Sequence, residues 1–116
     1  MTDTMDEKLV VVWTSGDPGV AENMVFMYTL NAKRRGWFDD VTLIVWGPSA
    51  ELLSRDLVLQ RQIEEMQSEG VHLEACLRCA ENYGVVEKLE ELGIEVKLMG
   101  MPLSEYLKEG RRVLTF

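Results

Sequence analysis

The stretch LVVVWTSGDPGVAENMVFMYTLNAKRRG, residues 9–36, decides the fold because its hydrophobic period changes once, at a break rich in turn residues. Leu9 to Trp13 is a short, wholly apolar run of mostly β-branched residues, the pattern of a strand buried on both faces. Thr14-Ser15-Gly16-Asp17-Pro18-Gly19 is loop chemistry. From Val20 to Arg35 the period becomes helical, with basic residues in the last turn and Gly36 placed to end it. The centre of that helix, MVFMYTL, is apolar nearly all round and predicts cover on more than one side, a second subunit being one source.

The same unit recurs along the chain. VTLIVW (41–46) predicts a second strand, stopped by Gly47-Pro48-Ser49, and a helix from about Ala50 to Glu69. VHLEA (71–75) predicts a third strand, Ala80 to Leu92 a third helix ahead of Gly93, and IEVKLM (94–99) a fourth strand. A short helix from Gly100-Met101-Pro102 to about Glu109 then leads to RRVLTF (111–116) as the fifth strand. Strands alternating with helices predict a three-layer α/β/α fold on a mainly parallel five-stranded sheet, flavodoxin-like, with right-handed crossovers. Residues 1–8 read as a flexible polar start and 9–116 as one domain, for which 116 residues suffice.

Charge narrows the partners. The net charge is −8, and the basic residues are dispersed apart from Lys33-Arg34-Arg35 and Arg111-Arg112. A phosphate-tracking surface needs a concentrated basic stripe, so neither nucleic acid nor an anionic membrane is expected as a partner. The apolar runs are strand-sized, which predicts no spanning helix, no membrane insertion and no ordinary signal peptide. A cytoplasmic setting follows as the expectation, with the two cysteines, Cys76 and Cys79, reduced.

In parallel sheets, function gathers where strands run into helices, outside their carboxyl ends. The first such loop, with Ser15 and Asp17, is either a simple turn and helix start or an anion-binding wall. It lacks the G-K-[ST] ending of a phosphate loop and the three-glycine dinucleotide fingerprint, so no cofactor is expected. At Trp46-Gly47-Pro48-Ser49, either Ser49 caps the next helix or Trp46 and Ser49 line a pocket. Arg78 and Met101 complete the candidate edge.

The third loop holds the chemistry. On a strand, His72, Glu74 and Cys76 share one face. That polar face is satisfied locally or meets a wet interface. His72 and Cys76 would stand about 13 Å apart, too far for a dyad, and the same distance argues against zinc on His72, Cys76 and Cys79. No metal site is expected. Cys76 falls at the strand end and Cys79 near the helix start, where free amides favour a thiolate. Arg78 would assist and Glu74 and Glu81 would oppose. The alternative is that both are small buried apolar groups.

Residues 70–85, GVHLEACLRCAENYGV, followed by LEELGIEVKLMGMPLSEYLKEGRRVLTF, resemble the DsrE/DsrF-like family of small sulfur-relay proteins. In that family a strand after a GV start ends in a cysteine, and a further GV or GI lies some nine residues on, as Val85 does from Cys76. The first half, with VTLIVWGPSAELL, is similar too, so the resemblance covers about Leu9 to Phe116. It implies a trimeric or hexameric homo-oligomer and a cytoplasmic role in passing sulfane sulfur as a cysteine persulfide between donor and acceptor proteins. Cys76 matches the sulfur-carrying cysteine, which makes a persulfide carrier or sulfurtransferase the expected activity. Cys79 stands where many relatives have no thiol. Its spacing makes it a candidate resolving thiol. Two other readings stay open: a non-catalytic oligomeric binding module, and a CxxC dithiol redox protein.

Overall fold

The computed structural model describes residues 7–116, so residues 1–6 of the expected flexible start lie outside the described residues. Strand β1 spans Lys8–Trp13, β2 Asp40–Val45, β3 His72–Cys76, β4 Glu95–Lys97 and β5 Arg112–Thr115. They form one sheet in the order β4-β3-β2-β1-β5 with every pairing parallel. The apolar runs read as doubly buried strands are so: Val10 and Val11, which point to opposite faces of β1, are both fully buried.

The connecting helices are more divided than four continuous segments. The first is an unbroken helical stretch in three parts, α1 (Pro18–Val20), a π-helical segment (Ala21–Phe26) and α2 (Met27–Arg34). The expected helix from Ala50 to Glu69 is two helices, α3 (Pro48–Arg55) and α4 (Leu57–Ser68). Asp56 separates them with extended backbone, and its carboxylate accepts from the Leu59 amide at 3.0 Å, a local N-cap that outcompetes continuation. The expected helix from Ala80 to Leu92 is likewise α5 (Leu77–Tyr83) and α6 (Val86–Glu91), parted by Gly84 in the left-handed region at φ 70°. The last helix, α7, runs over Gly100–Lys108. The fourth strand is shorter than expected, because Leu98 leaves the sheet for solvent and Met99 turns inward at the start of α7.

Topology makes the two faces of the sheet unequal. The crossovers from β1 to β2, β3 and β4 all step the same way, so a constant handedness stacks their helices on one face. There Leu9, Val11, Trp13, Leu43, Val45, Leu73 and Ala75 meet Leu53, Leu59, Ile63 and Leu89 in the main core. The return from β4 to β5 crosses the other face and makes α7 the one helix there among the described residues. Its cluster is small: Val10, Val12, Ile44, Cys76 and Met99, with Leu103 and Tyr106 partly buried against them. No residue of α7 itself is buried. No helix among the described residues is long and apolar enough to cross a membrane.

Candidate functional site

Alternation along β3 places its chemistry. Leu73 and Ala75 enter the main core, while Cys76 joins the small cluster beneath α7 and is 6% exposed. Cys76 ends the strand and is the N-cap of α5, with extended backbone (φ −72°, ψ 118°). Helix α5 starts at Leu77, three residues earlier than expected, so Cys79 lies inside its first turn. Cys79 is half-buried, and both cysteines are free thiols. Burial, and after it the neighbouring Cys76 side chain, raise the Cys79 thiol above the ordinary cysteine value, while the Gly47 backbone amide pulls it down.

The Gly47 amide is held in place by an arrangement spanning two loops. Gly47 has φ 80° and ψ −142°, a conformation open to glycine and strained for any other residue. Ser49 does not cap α3 as the sequence suggested; Gly47 occupies the N-cap position, and no side chain caps there. The fully buried Ser49 hydroxyl instead donates to the Trp13 carbonyl at 2.5 Å and accepts from the Trp46 amide at 3.2 Å. The Trp46 and Ser49 amides bond in turn to the Trp13 and Thr14 carbonyls at 3.0 and 3.1 Å. Ser49 thus fastens the end of β2 to the end of β1 and is no pocket wall. Trp46 does line a space, an apolar groove of about 440 Å³ with Val12, Leu103, Leu107 and Val113.

The polar face of β3 is satisfied locally. The Glu74 carboxylate, 9% exposed, accepts from Lys97 Nζ at 2.9 Å and from the Tyr106 hydroxyl at 2.8 and 3.0 Å. Burial, then the hydrogen bond to Glu74, push the Tyr106 hydroxyl up to about 12. The hydrogen bond to Glu74 raises the Lys97 ammonium as well, outweighing the opposite pull of burial. The Arg111 guanidinium lies over the Tyr106 ring at 4.2 Å. Tyr106 and Lys97 are not among the sequence candidates and Arg111 enters only as half of a small basic cluster; the unusual acid inside a buried strand is the one signal that a partner is needed. His72 is exposed, its Nε2 3.9 Å from Asp40 Oδ1. His72, Asp40, Glu74 and Arg111 line a polar cavity of about 450 Å³ that neither cysteine reaches.

The remaining candidates stand apart from the thiols. Asp17 is a helix cap, accepting from the Gly19 and Val20 amides at 2.7 and 3.4 Å, and the Ser15 hydroxyl accepts from the Asp17 amide at 3.1 Å. Arg78 is exposed and pairs with Glu81 at 4.0 Å, and Met101 is open to solvent. The strand order reverses at β1, but the crevice there is stitched by Thr14, whose amide and hydroxyl donate to the Phe116 carbonyl at 2.6 and 2.8 Å. Among the described residues no group of three or more His, Cys, Asp or Glu side chains is placed to hold a metal ion. What the edge presents is two neighbouring thiols on the carboxyl ends of an α/β sheet.

The family model for the DsrE/DsrF-like family matches residues 7–116. The chain belongs to the DsrE/DsrF-like family. Among solved structures, the chain is similar to the conserved protein of unknown function BT1422 from Bacteroides thetaiotaomicron, at 43% identity over 95% of both chains with a TM-score of 0.91. The ychN protein from E. coli shares the fold at 15% identity over 95% of this chain and 99% of that one, TM-score 0.73. The protein of unknown function MTH1491 from Methanobacterium thermoautotrophicum does so at 19% identity over 96% and 100%, TM-score 0.73. No curated protein matches the chain in sequence. Membership of the DsrE/DsrF-like family accounts for the whole described fold.

Proposed function

We propose that this member of the DsrE/DsrF-like family is a sulfur-relay protein that carries sulfane sulfur as a persulfide on Cys76. The observation that supports the reading most is the position of Cys76, the last residue of an inner strand on the functional edge of the sheet, beside a second thiol. The charge of Glu74, two residues before it, is neutralised by Lys97, so the nearest carboxylate on that face is already paired.

The chemistry is sulfur exchange of the thiol–disulfide kind. The Cys76 thiolate bonds to the outer sulfur of a donor persulfide, the donor's sulfur–sulfur bond breaks, and the donor thiolate leaves. An acceptor thiolate later bonds to the outer sulfur of Cys76-persulfide and frees the Cys76 thiolate. Neither step needs an oxidant, a metal or a cofactor. Both need access to a side chain that is 6% exposed. The thin cover on that face, Met99 and the unburied helix α7, is the part of the fold that has least to lose by moving.

The test is intact-protein mass spectrometry after incubation with a small-molecule persulfide, comparing wild type with Cys76→Ser. The expected result is a gain of about 32 Da, one sulfur atom, in the wild type and none in Cys76→Ser. An equal gain in both proteins would move the sulfur elsewhere and end the proposal for Cys76.

A further inference from the structure

The family resemblance assigns no role to Cys79, yet Cys79 is the thiol nearest to the proposed carrier. We propose that Cys79 resolves a persulfide on Cys76, so that the chain releases its sulfur as hydrosulfide while closing a Cys76–Cys79 disulfide. This rests on the carrier reading above.

Three features of the fold carry it. Cys76 is the N-cap of α5 and Cys79 its third residue. Side chains at those two positions lie over the same edge of the first turn, the relation by which a capping-box side chain reaches back to the N-cap. Residues three apart on a helix stand about 5–6 Å apart at Cβ. The freedom of a helix end closes the small remainder to the roughly 3.5–4.5 Å of a disulfide.

The second feature is the order of exposure. Cys76 is covered and Cys79 is half-exposed beside it, so a persulfide on Cys76 meets Cys79 without the opening of the cover that an outside acceptor thiol needs. The third is the Gly47 amide beside Cys79, held by the Ser49 linkage to β1. It comes from a different loop, and Cys79 packs with Trp46 against the small cluster that holds Cys76 and Met99, so the pair sits in a built setting rather than on a bare turn.

The step balances within the protein. The Cys79 sulfur bonds to the inner sulfur of Cys76-persulfide, and the bond to the outer sulfur breaks with its electron pair. The Cys79 proton leaves with that sulfur as hydrosulfide. Two cysteine sulfurs end as a disulfide while one sulfane sulfur is reduced to sulfide. A reducing dithiol of the thioredoxin class then returns both thiols.

The experiment loads the full chain with inorganic polysulfide, removes the excess, and follows intact mass and released sulfide for wild type, Cys79→Ser and Cys79→Ala, each first checked for an unchanged unfolding midpoint. The wild type is expected to pass from a gain of about 32 Da to a loss of about 2 Da while releasing about one equivalent of sulfide. Both Cys79 variants are expected to hold the added sulfur and to release sulfide at least about tenfold more slowly. Wild type that keeps its added sulfur as long as the variants do would overturn the resolving role and leave the carrier reading intact. Failure of the Cys79 variants to gain sulfur at all would instead overturn the carrier reading, and the resolving role with it. A disulfide that forms without sulfide would also overturn the release step.

Discussion

Gly47 is the residue whose backbone the candidate site depends on most. Its φ of 80° with ψ −142° lies in a region that an alanine enters only with strain of about 1–3 kcal/mol. Apart from Gly47 and its two chain neighbours, no atom lies within 4 Å of a Cβ placed there, so the backbone conformation alone would resist the change. Gly47→Ala is therefore expected to lower the urea midpoint. It should also shift the pH midpoint of Cys79 alkylation upward, because the amide that pulls that thiol down would be displaced. An unchanged alkylation profile would remove Gly47 from the site. Ser49→Ala, which strips a buried hydroxyl from the Trp13 carbonyl, is expected to destabilise by about 1–2 kcal/mol in the same unfolding measurement. Residues of this kind were only half legible. The Gly-Pro-Ser stop after β2 was plain in the sequence, but the destination of the Ser49 hydroxyl, 36 positions back, was set by tertiary packing.

Among the elements, α7 carries the largest consequence. No residue of it is buried, and among the described residues it is the one helix that lies over the face holding Cys76, next to the buried Met99. Its polar anchor is the Tyr106 hydroxyl on the buried Glu74 carboxylate. Losing one such hydrogen bond is worth roughly a three- to tenfold rise in an opened population. Tyr106→Phe is accordingly expected to speed alkylation of Cys76 by that factor, and an unchanged rate would show that access does not run past α7. The same anchor has a signature in alkali. The fold holds the Tyr106 hydroxyl neutral up to about 12, above the ordinary tyrosine value of about 10. Its stabilisation is therefore full below pH ~10 and lost as pH rises through pH ~12. The stability advantage of wild type over Tyr106→Phe should shrink across that window in urea unfolding. The strands were legible because continuous β-branched runs have few other uses. The helix breaks were not read, although Asp56 ahead of Leu57 and Gly84 after Tyr83 carried the signals of a cap and a left-handed stop. Tyr106 was invisible because its partner lies 32 residues away.

At the scale of the whole molecule, the main core is complete while the outer side of the first helical stretch is not. Met24, Met27 and Trp37 are 39, 55 and 50% exposed, and they line a shallow hollow with Tyr28 and Asn31. The apolar middle of that helix predicts cover on more than one side, a second subunit being one source, and we propose that copies of this chain meet on this face. The expected mass in solution at micromolar concentration is a multiple of 13.3 kDa, falling to the monomer when Met27→Glu and Trp37→Glu are combined. A monomeric wild type would remove that interface. The alternation of strand and helix made the parallel sheet readable from the first unit onward. The inequality of its two faces emerged only from the strand order, since it depends on β5 returning beside β1.

The carrier reading turns on one sulfur atom, and the sequence allows it to be placed. Trypsin cuts after Arg61, Arg78 and Lys88, which separates Cys76, on residues 62–78, from Cys79, on residues 79–88. Wild-type protein exposed briefly to a small-molecule persulfide, alkylated at once and digested, is expected to show the additional ~32 Da on the alkylated 62–78 peptide. Its appearance on 79–88 alone, or on neither peptide while both cysteines are found alkylated as plain thiols, would contradict the assignment of Cys76 as the sulfur carrier.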